Sequence, residues 1–315
     1  MPHRLPPALR SALGDLPWEL PHGFLGADRE TSDFESAQAV ILPVPYEATT
    51  SYSGGTRFGP RSILEASRFI ELYDQELDRE IADVGIHTLP ALALTKEGST
   101  AASAELLSAY ASVLASLGDR FPVVLGGEHA VSAPLVRATA ERVAANGGGR
   151  LSVLQLDAHA DLRDGYEGAP FSHASFAFRT LDVADYVQVG IRAVSSEERQ
   201  VMRDRPDGVT VIWADEMWEN DAWMDRAIEA LGETVYLTVD VDYFDPSLVP
   251  STGTPEPGGG DWYRTLRFLR RVFAERKVVG ADVVELAPIP GLHAPDFLVA
   301  KLVYKLIGYR FFAGS

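Results

Sequence analysis

The sequence predicts one α/β domain in which helices cover both faces of a parallel sheet. Apolar, strand-like runs alternate with helical segments along most of the chain, as repeated βαβ units do. Clusters of Asp, His and Glu follow the ends of several of those runs, where open parallel sheets bind ligands. The length of 315 residues, 46% hydrophobic and 23% charged, is one that such folds reach with a single continuous core.

Residues 1–37 are rich in proline and charge and are expected to form an irregular arm, laid over the surface or across a subunit contact. The domain proper is expected over 38–315. Its first strand is Ala39 to Pro43, followed by the shaped loop Ser53-Gly54-Gly55-Thr56-Arg57-Phe58-Gly59-Pro60, with Pro60 where a helix can begin. Helical periodicity covers Arg61 to Leu72 and the Ala- and Leu-rich Ala101 to Leu117. Then come strand Pro122 to Leu125, helix Ser132 to Ala145, a glycine turn at 147–149 and strand Leu151 to Leu156. That turn lacks the Lys-Ser/Thr sequel of a phosphate cradle. Strands Tyr186 to Ile191, Val209 to Trp213, Thr234 to Val239 and Val278 to Val284 alternate with helices Glu197 to Arg203, Trp223 to Leu231, Trp262 to Glu275 and Ala294 to Ile307. There is no repeat and no linker that would divide the chain.

A formal charge of −17 argues against nucleic-acid and anionic-membrane partners and favours a small cationic substrate. The absence of cysteine excludes disulfides, thiolate nucleophiles and sulfur-ligated zinc, so any metal must be held by nitrogen and oxygen. The first residues do not read as a signal peptide, and no run approaches the roughly 20 apolar residues of a membrane span. A soluble, cytoplasmic protein is expected.

Asp157, His159 and Asp161 follow the run Leu151 to Leu156 at alternating positions, so an extended backbone would project all three from one face of a strand's carboxyl end. The run Tyr236 to Val239 ends in a second pair, Asp240 and Asp242, and His129 follows another strand within Gly126-Gly127-Glu128-His129. Two imidazoles and four carboxylates exceed one tetrahedral site and offset two dications, with Asp157 and Asp240 as natural bridges. Such hard donors suit Mn²⁺ and would tolerate Co²⁺, Fe²⁺ or Zn²⁺, and a bridging hydroxide is the expected nucleophile. Glu128 reads as a structural acid; His3, His22, His87 and His293 lack ligand spacing.

With Ser172-His173-Ala174-Ser175, Asp240 to Ser247, Thr252 to Gly259 and Glu285 added in order, the chain resembles the ureohydrolases, the arginase and agmatinase family. The resemblance implies an arginase-like three-layer α/β/α fold with a central parallel sheet, a dimanganese centre, and hydrolysis of a guanidinium group to urea and an amine. It implies that His129, Asp157, Asp161 and Asp240 hold one ion, and that Asp157, His159, Asp240 and Asp242 hold the other. Asp161 would pass a proton to the leaving amine, His173 would shuttle protons, Glu285 would position the guanidinium, and Thr254 would line the pocket. Relatives are commonly trimers or hexamers, so a homo-oligomer is expected.

Between Asp161 and His173 the loop lacks the serine- and asparagine-rich character that arginases use for an α-amino acid, and is most similar to agmatinases. Agmatine, giving putrescine and urea, is the expected substrate, with N1-aminopropylagmatine, giving spermidine, as the close alternative. Asp164 or Glu167 could face an ammonium tail, whereas Arg163 could pair with a carboxylate and would suit guanidinobutyrate. A one-zinc deacetylase would need fewer ligands, a phosphatase more basic residues, and a non-catalytic relative would have lost ligands or Glu285.

Overall fold

The computed structural model describes residues 23–26 and 32–314. Its sheet has eight strands, every paired neighbour parallel, in the order β4-β1-β5-β10-β9-β6-β7-β8. They are β1 (Ala39–Val44), β4 (Ile86–Thr88), β5 (Phe121–Gly126), β6 (Leu151–Leu156), β7 (Ala184–Ile191), β8 (Val209–Trp213), β9 (Thr234–Asp240) and β10 (Lys277–Val284). A separate two-stranded hairpin pairs β2 (Tyr73–Asp74) with β3 (Arg79–Glu80). The helices are α1 (Gly59–Ser67), α2 (Ser99–Leu117), α3 (Ser132–Ala145), α4 (Ser196–Asp204), α5 (Glu216–Glu219), α6 (Ala222–Ala230), α7 (Trp262–Glu275) and α8 (Ala294–Phe312).

Alternation along the strands divides the core into two layers. In β1, Ala39 and Ile41 join α1, α6, α7 and α8 in one apolar cluster, while Val40, Leu42 and Val44 join α2, α3 and α4 in the other. Being covered on both sides, the central strands are apolar throughout, and β1, β5 and β6 are buried at every residue. This is the expected α/β/α architecture.

Two local expectations change. The helix after Pro60 stops at Ser67 rather than Leu72, and the chain turns into the hairpin. Buried Lys305 of α8 holds that hairpin, donating to Asp74 and Glu76 at 2.8 Å each. Most of the expected arm lies outside the described residues. Of the part described, Phe24 is buried in the core, and its backbone N–H donates to Thr88. Among the described residues no helix is long and apolar enough to cross a membrane.

Candidate metal centre and active site

Four adjacent central strands, β5, β10, β9 and β6, deliver the candidate residues at their carboxyl ends. His129 opens the short turn His129–Val131 after β5, Glu285 follows β10, Asp240 ends β9, and Asp157 follows β6. Gly127 makes the β5 exit possible: a Cβ there would lie 1.9 Å from the Tyr46 carbonyl oxygen.

The Asp157-His159-Asp161 group is not a continuation of the strand. β6 ends at Leu156, the His159 N–H donates to Asp157 Oδ1 at 2.6 Å, and Asp161 has φ 53°. Ala158 and Ala160, between the three, are fully buried. What gathers the three side chains is a turn, with Asp161 in the left-handed region where non-glycine residues are rare. Glu285 shares that conformation, at φ 66°.

Two donor groups result, His129 with Asp157 and Asp161, and His159 with Asp157 and Asp242, each having its ligand atoms within 4.8 Å of one another. Asp157 belongs to both. Asp240 Oδ2 lies 3.3 Å from His129 Nδ1, which places it at the first group, while its Oδ1 accepts the Asp242 N–H at 2.8 Å.

The orientation of His129 follows from a buried polar relay. Asp282 Oδ1 accepts from the Thr238 hydroxyl at 2.6 Å, and Thr238 Oγ1 lies 2.9 Å from His129 Nε2. Because the hydroxyl proton is used on Asp282, the oxygen accepts from Nε2–H, so Nδ1 is the nitrogen that faces the carboxylates and, in the neutral tautomer, offers its lone pair to a metal ion. Nδ1 is buried without a hydrogen bond, 3.1 Å from oxygens of Asp157 and Asp161. A lone pair facing carboxylates requires positive charge between them, which is what a metal ion supplies. The six side chains therefore fit a metal centre.

The electrostatics agree. Burial and carboxylate crowding push Asp157 and Asp240 up, and Asp161 up to about 7. Burial opposes the charge on His159, but Asp242 and Asp157 outweigh it and raise the ring to about 11. Asp242 is also buried, yet His159 holds it below the ordinary carboxylate value.

Glu285 is buried, and its Oε1 accepts the His129 backbone N–H at 2.7 Å. His173 is placed by the β1–α1 loop. Thr49 Oγ1 lies 3.3 Å from its Nδ1 and Ser51 Oγ lies 3.2 Å from its Nε2. Glu128 anchors that loop, accepting from the backbone of Ala48 and Thr49 and from the Thr49 hydroxyl at 2.7 Å each. Burial, reinforced by His159 and His129, pushes His173 down to about 4, so the ring is neutral at physiological pH.

His129, His159, Asp161, Asp240, Asp242, His173, Glu285, Thr254 and Arg163 line one cavity of about 490 Å³. Asp164 and Glu167 do not, which corrects their expected place at the substrate tail. Asp164 is largely exposed and ion-paired with Arg179, and Glu167 is exposed in the loop at φ 48°. Arg163 Nε lies 3.8 Å from Glu198 and its guanidinium sits over Tyr166, so its charge already has a counter-ion.

The arginase family model matches residues 37–308. The chain belongs to the arginase family. It is 39% identical over 294 residues to N(1)-aminopropylagmatine ureohydrolase from Synechocystis, an alignment covering 92% of this chain and 94% of that one. It is 34% identical over 281 residues to agmatinase from Pyrococcus horikoshii, covering 88% and 94%. The agmatine ureohydrolase structure from Thermoplasma volcanium superimposes with a TM-score of 0.80 at 25% identity, covering 96% and 97%. The chain is thus an arginase-family ureohydrolase, and its His/Asp cluster is of the kind that holds a metal ion.

The supporting layer escaped the sequence reading although four of its members leave a trace, a polar residue inside an apolar strand. Gln155 of β6 donates to Asp157 Oδ2 at 2.8 Å, and Gln188 of β7 donates to Gln155 at 2.7 Å. Thr238 and Asp282 interrupt β9 and β10 in the same way. Arg192 donates to the Asp242 carbonyl at 2.6 Å and carries no comparable signal.

Proposed function

We propose that the chain hydrolyses the guanidinium group of an amine-tailed guanidine, agmatine being the reference substrate, to urea and the free amine. The observation that carries this is one cavity in which two donor groups sharing Asp157 face the buried carboxylate of Glu285. N1-aminopropylagmatine is a second reading, favoured by the higher identity to the Synechocystis relative than to the Pyrococcus agmatinase. Guanidinobutyrate loses support, since Arg163 is already near Glu198.

We assign two Mn²⁺ ions, with Co²⁺, Fe²⁺ or Zn²⁺ as substitutes, to this oxygen-rich set. His129, Asp157, Asp161 and Asp240 would hold one ion, and Asp157, His159, Asp240 and Asp242 the other. Bound, the ions supply Lewis acidity that brings the pKa of a water toward neutrality. Glu285 receives the guanidinium through charge-assisted N–H bonds, with Oε1 held in place by His129 N–H. Asp161 delivers a proton to the leaving nitrogen. Neutral His173 accepts a proton at the cavity wall, where Ser51 Oγ lies 3.2 Å from its Nε2. Assembly into a homotrimer or hexamer belongs to the same proposal, and sedimentation velocity tests it.

The test is urea release by the manganese-loaded protein from agmatine, N1-aminopropylagmatine, arginine and guanidinobutyrate in parallel. The amine-tailed pair is expected to dominate. Glu285→Gln, which removes a charge-assisted contact, should lower kcat/KM about 10- to 100-fold. No urea from either amine-tailed compound would overturn the proposal.

A further inference from the structure

The segment 252–259 places an acidic residue at the cavity wall that the chemistry above does not use. Thr254 and Glu256 both line the cavity, while Pro255 and Pro257 between and beyond them are exposed. This alternation is covalently imposed. Each proline fixes its own φ and disfavours the helical region for the residue before it, so Thr254 and Glu256 are held near the extended form that points i and i+2 to one side.

The loop is also fastened to the metal-bearing strands. Arg192 donates one guanidinium nitrogen to both the Glu256 carbonyl, at 3.0 Å, and the Asp242 carbonyl, at 2.6 Å. Ala287 N–H, just past Glu285, donates to Ser251 at 2.9 Å, and Gly260 N–H donates to Tyr243 at 2.9 Å. Glu256 is thus tied to the exits of both β9 and β10.

Among the described residues the Glu256 carboxylate has no hydrogen bond and no ion pair. The neighbouring acids differ. Glu198 also lines the cavity, but it accepts from Leu162 N–H at 3.1 Å and Ser195 N–H at 2.7 Å. Asp164 is committed to Arg179. Beyond the metal cluster and Glu285, Glu256 is the cavity carboxylate left open to a ligand cation among the described residues.

We propose that Glu256 determines specificity by serving as the counter-ion for the protonated amine of the substrate tail. This deepens, and rests on, the reading of the substrate as an amine-tailed guanidine. With Glu285 on the guanidinium and Glu256 on the amine, the cavity recognises both ends of a dication by charge.

The experiment compares kcat and KM of manganese-loaded wild type, Glu256→Gln, Glu256→Asp and Glu256→Lys on agmatine, N1-aminopropylagmatine, guanidinobutyrate and the uncharged-tail butylguanidine. Circular dichroism and thermal midpoints verify folding. Glu256→Gln should raise KM for the amine-tailed substrates about tenfold with a smaller effect on kcat, so that their advantage over butylguanidine falls by that factor. Glu256→Asp should retain part of the advantage, and Glu256→Lys should shift preference toward guanidinobutyrate. An unchanged preference in Glu256→Gln, or an equal loss on all substrates, would overturn the assignment while leaving the proposed reaction intact. If wild type releases no urea from amine-tailed substrates, the reaction itself falls and the assignment with it.

Discussion

At the floor of the cavity His129, Asp157, Asp161, Asp240, Asp242 and Glu285 are each at most 7% exposed, whereas at the mouth the Arg163 and Asp164 side chains are 38% and 69% exposed. The floor stands on strand ends and is braced from beneath by Gln155, Gln188, Thr238 and Asp282. The mouth consists of loops whose charges neutralise one another, as Asp164 does with Arg179. A buried donor set needs such a brace, because unpaired charge in a low dielectric is costly and a ligand must not rotate. A solvated loop lacks that constraint, and its charges contribute little unless a ligand meets them.

The severest way to break the floor is Asp157→Asn, which removes the ligand common to both groups. Urea release should fall by about a thousandfold or more, with loss of bound metal by elemental analysis. Asp282→Asn tests the brace from a distance. Manganese affinity, titrated by electron paramagnetic resonance, should weaken about 10- to 100-fold, with kcat at saturating metal less affected. Unchanged affinity would show that Thr238 alone orients His129.

His173, on the cavity wall between floor and mouth, should reveal itself through pH. Its folded-state pKa lies near 4, below the unfolded value of 6.5, so the unfolded chain binds more protons in that interval. Its contribution to stability is therefore intact above 6.5 and declines as pH falls toward 4, by roughly 3 kcal/mol. In urea denaturation of metal-free protein, His173→Asn should flatten that decline. Beside the mouth, Asp164→Asn should change kcat/KM by less than about twofold, because it breaks an exposed ion pair that does not line the cavity. A larger loss would extend the substrate site into that loop.

The strands and most helices were legible because an apolar run with charged flanks encodes burial locally. β6 occupies the residues expected for it, and α3 and α7 do as well. The edge strand Ile86–Thr88 was not legible, since three residues carry no periodicity. Nor was the early end of α1, where Ser67 Oγ donates to the Leu64 carbonyl at 2.7 Å and the following chain turns to meet Lys305, more than 200 residues away. The donor set was legible from side-chain chemistry, the brace beneath it only as unexplained polar residues in apolar strands.

By itself, then, the sequence determined the type of layer, the strand ends and the nitrogen and oxygen donors placed on them, because these follow from local periodicity and residue chemistry. Tertiary structure decided that β5, β10, β9 and β6 lie side by side and so unite residues 129, 157, 240 and 285. It also decided which loop carboxylates are free, leaving Asp164 to Arg179 and Glu256 to the cavity. The physical reason is that a charge acquires its partner from whatever the folded chain packs beside it, and that neighbour is set by strand order and loop path across distances no local pattern spans.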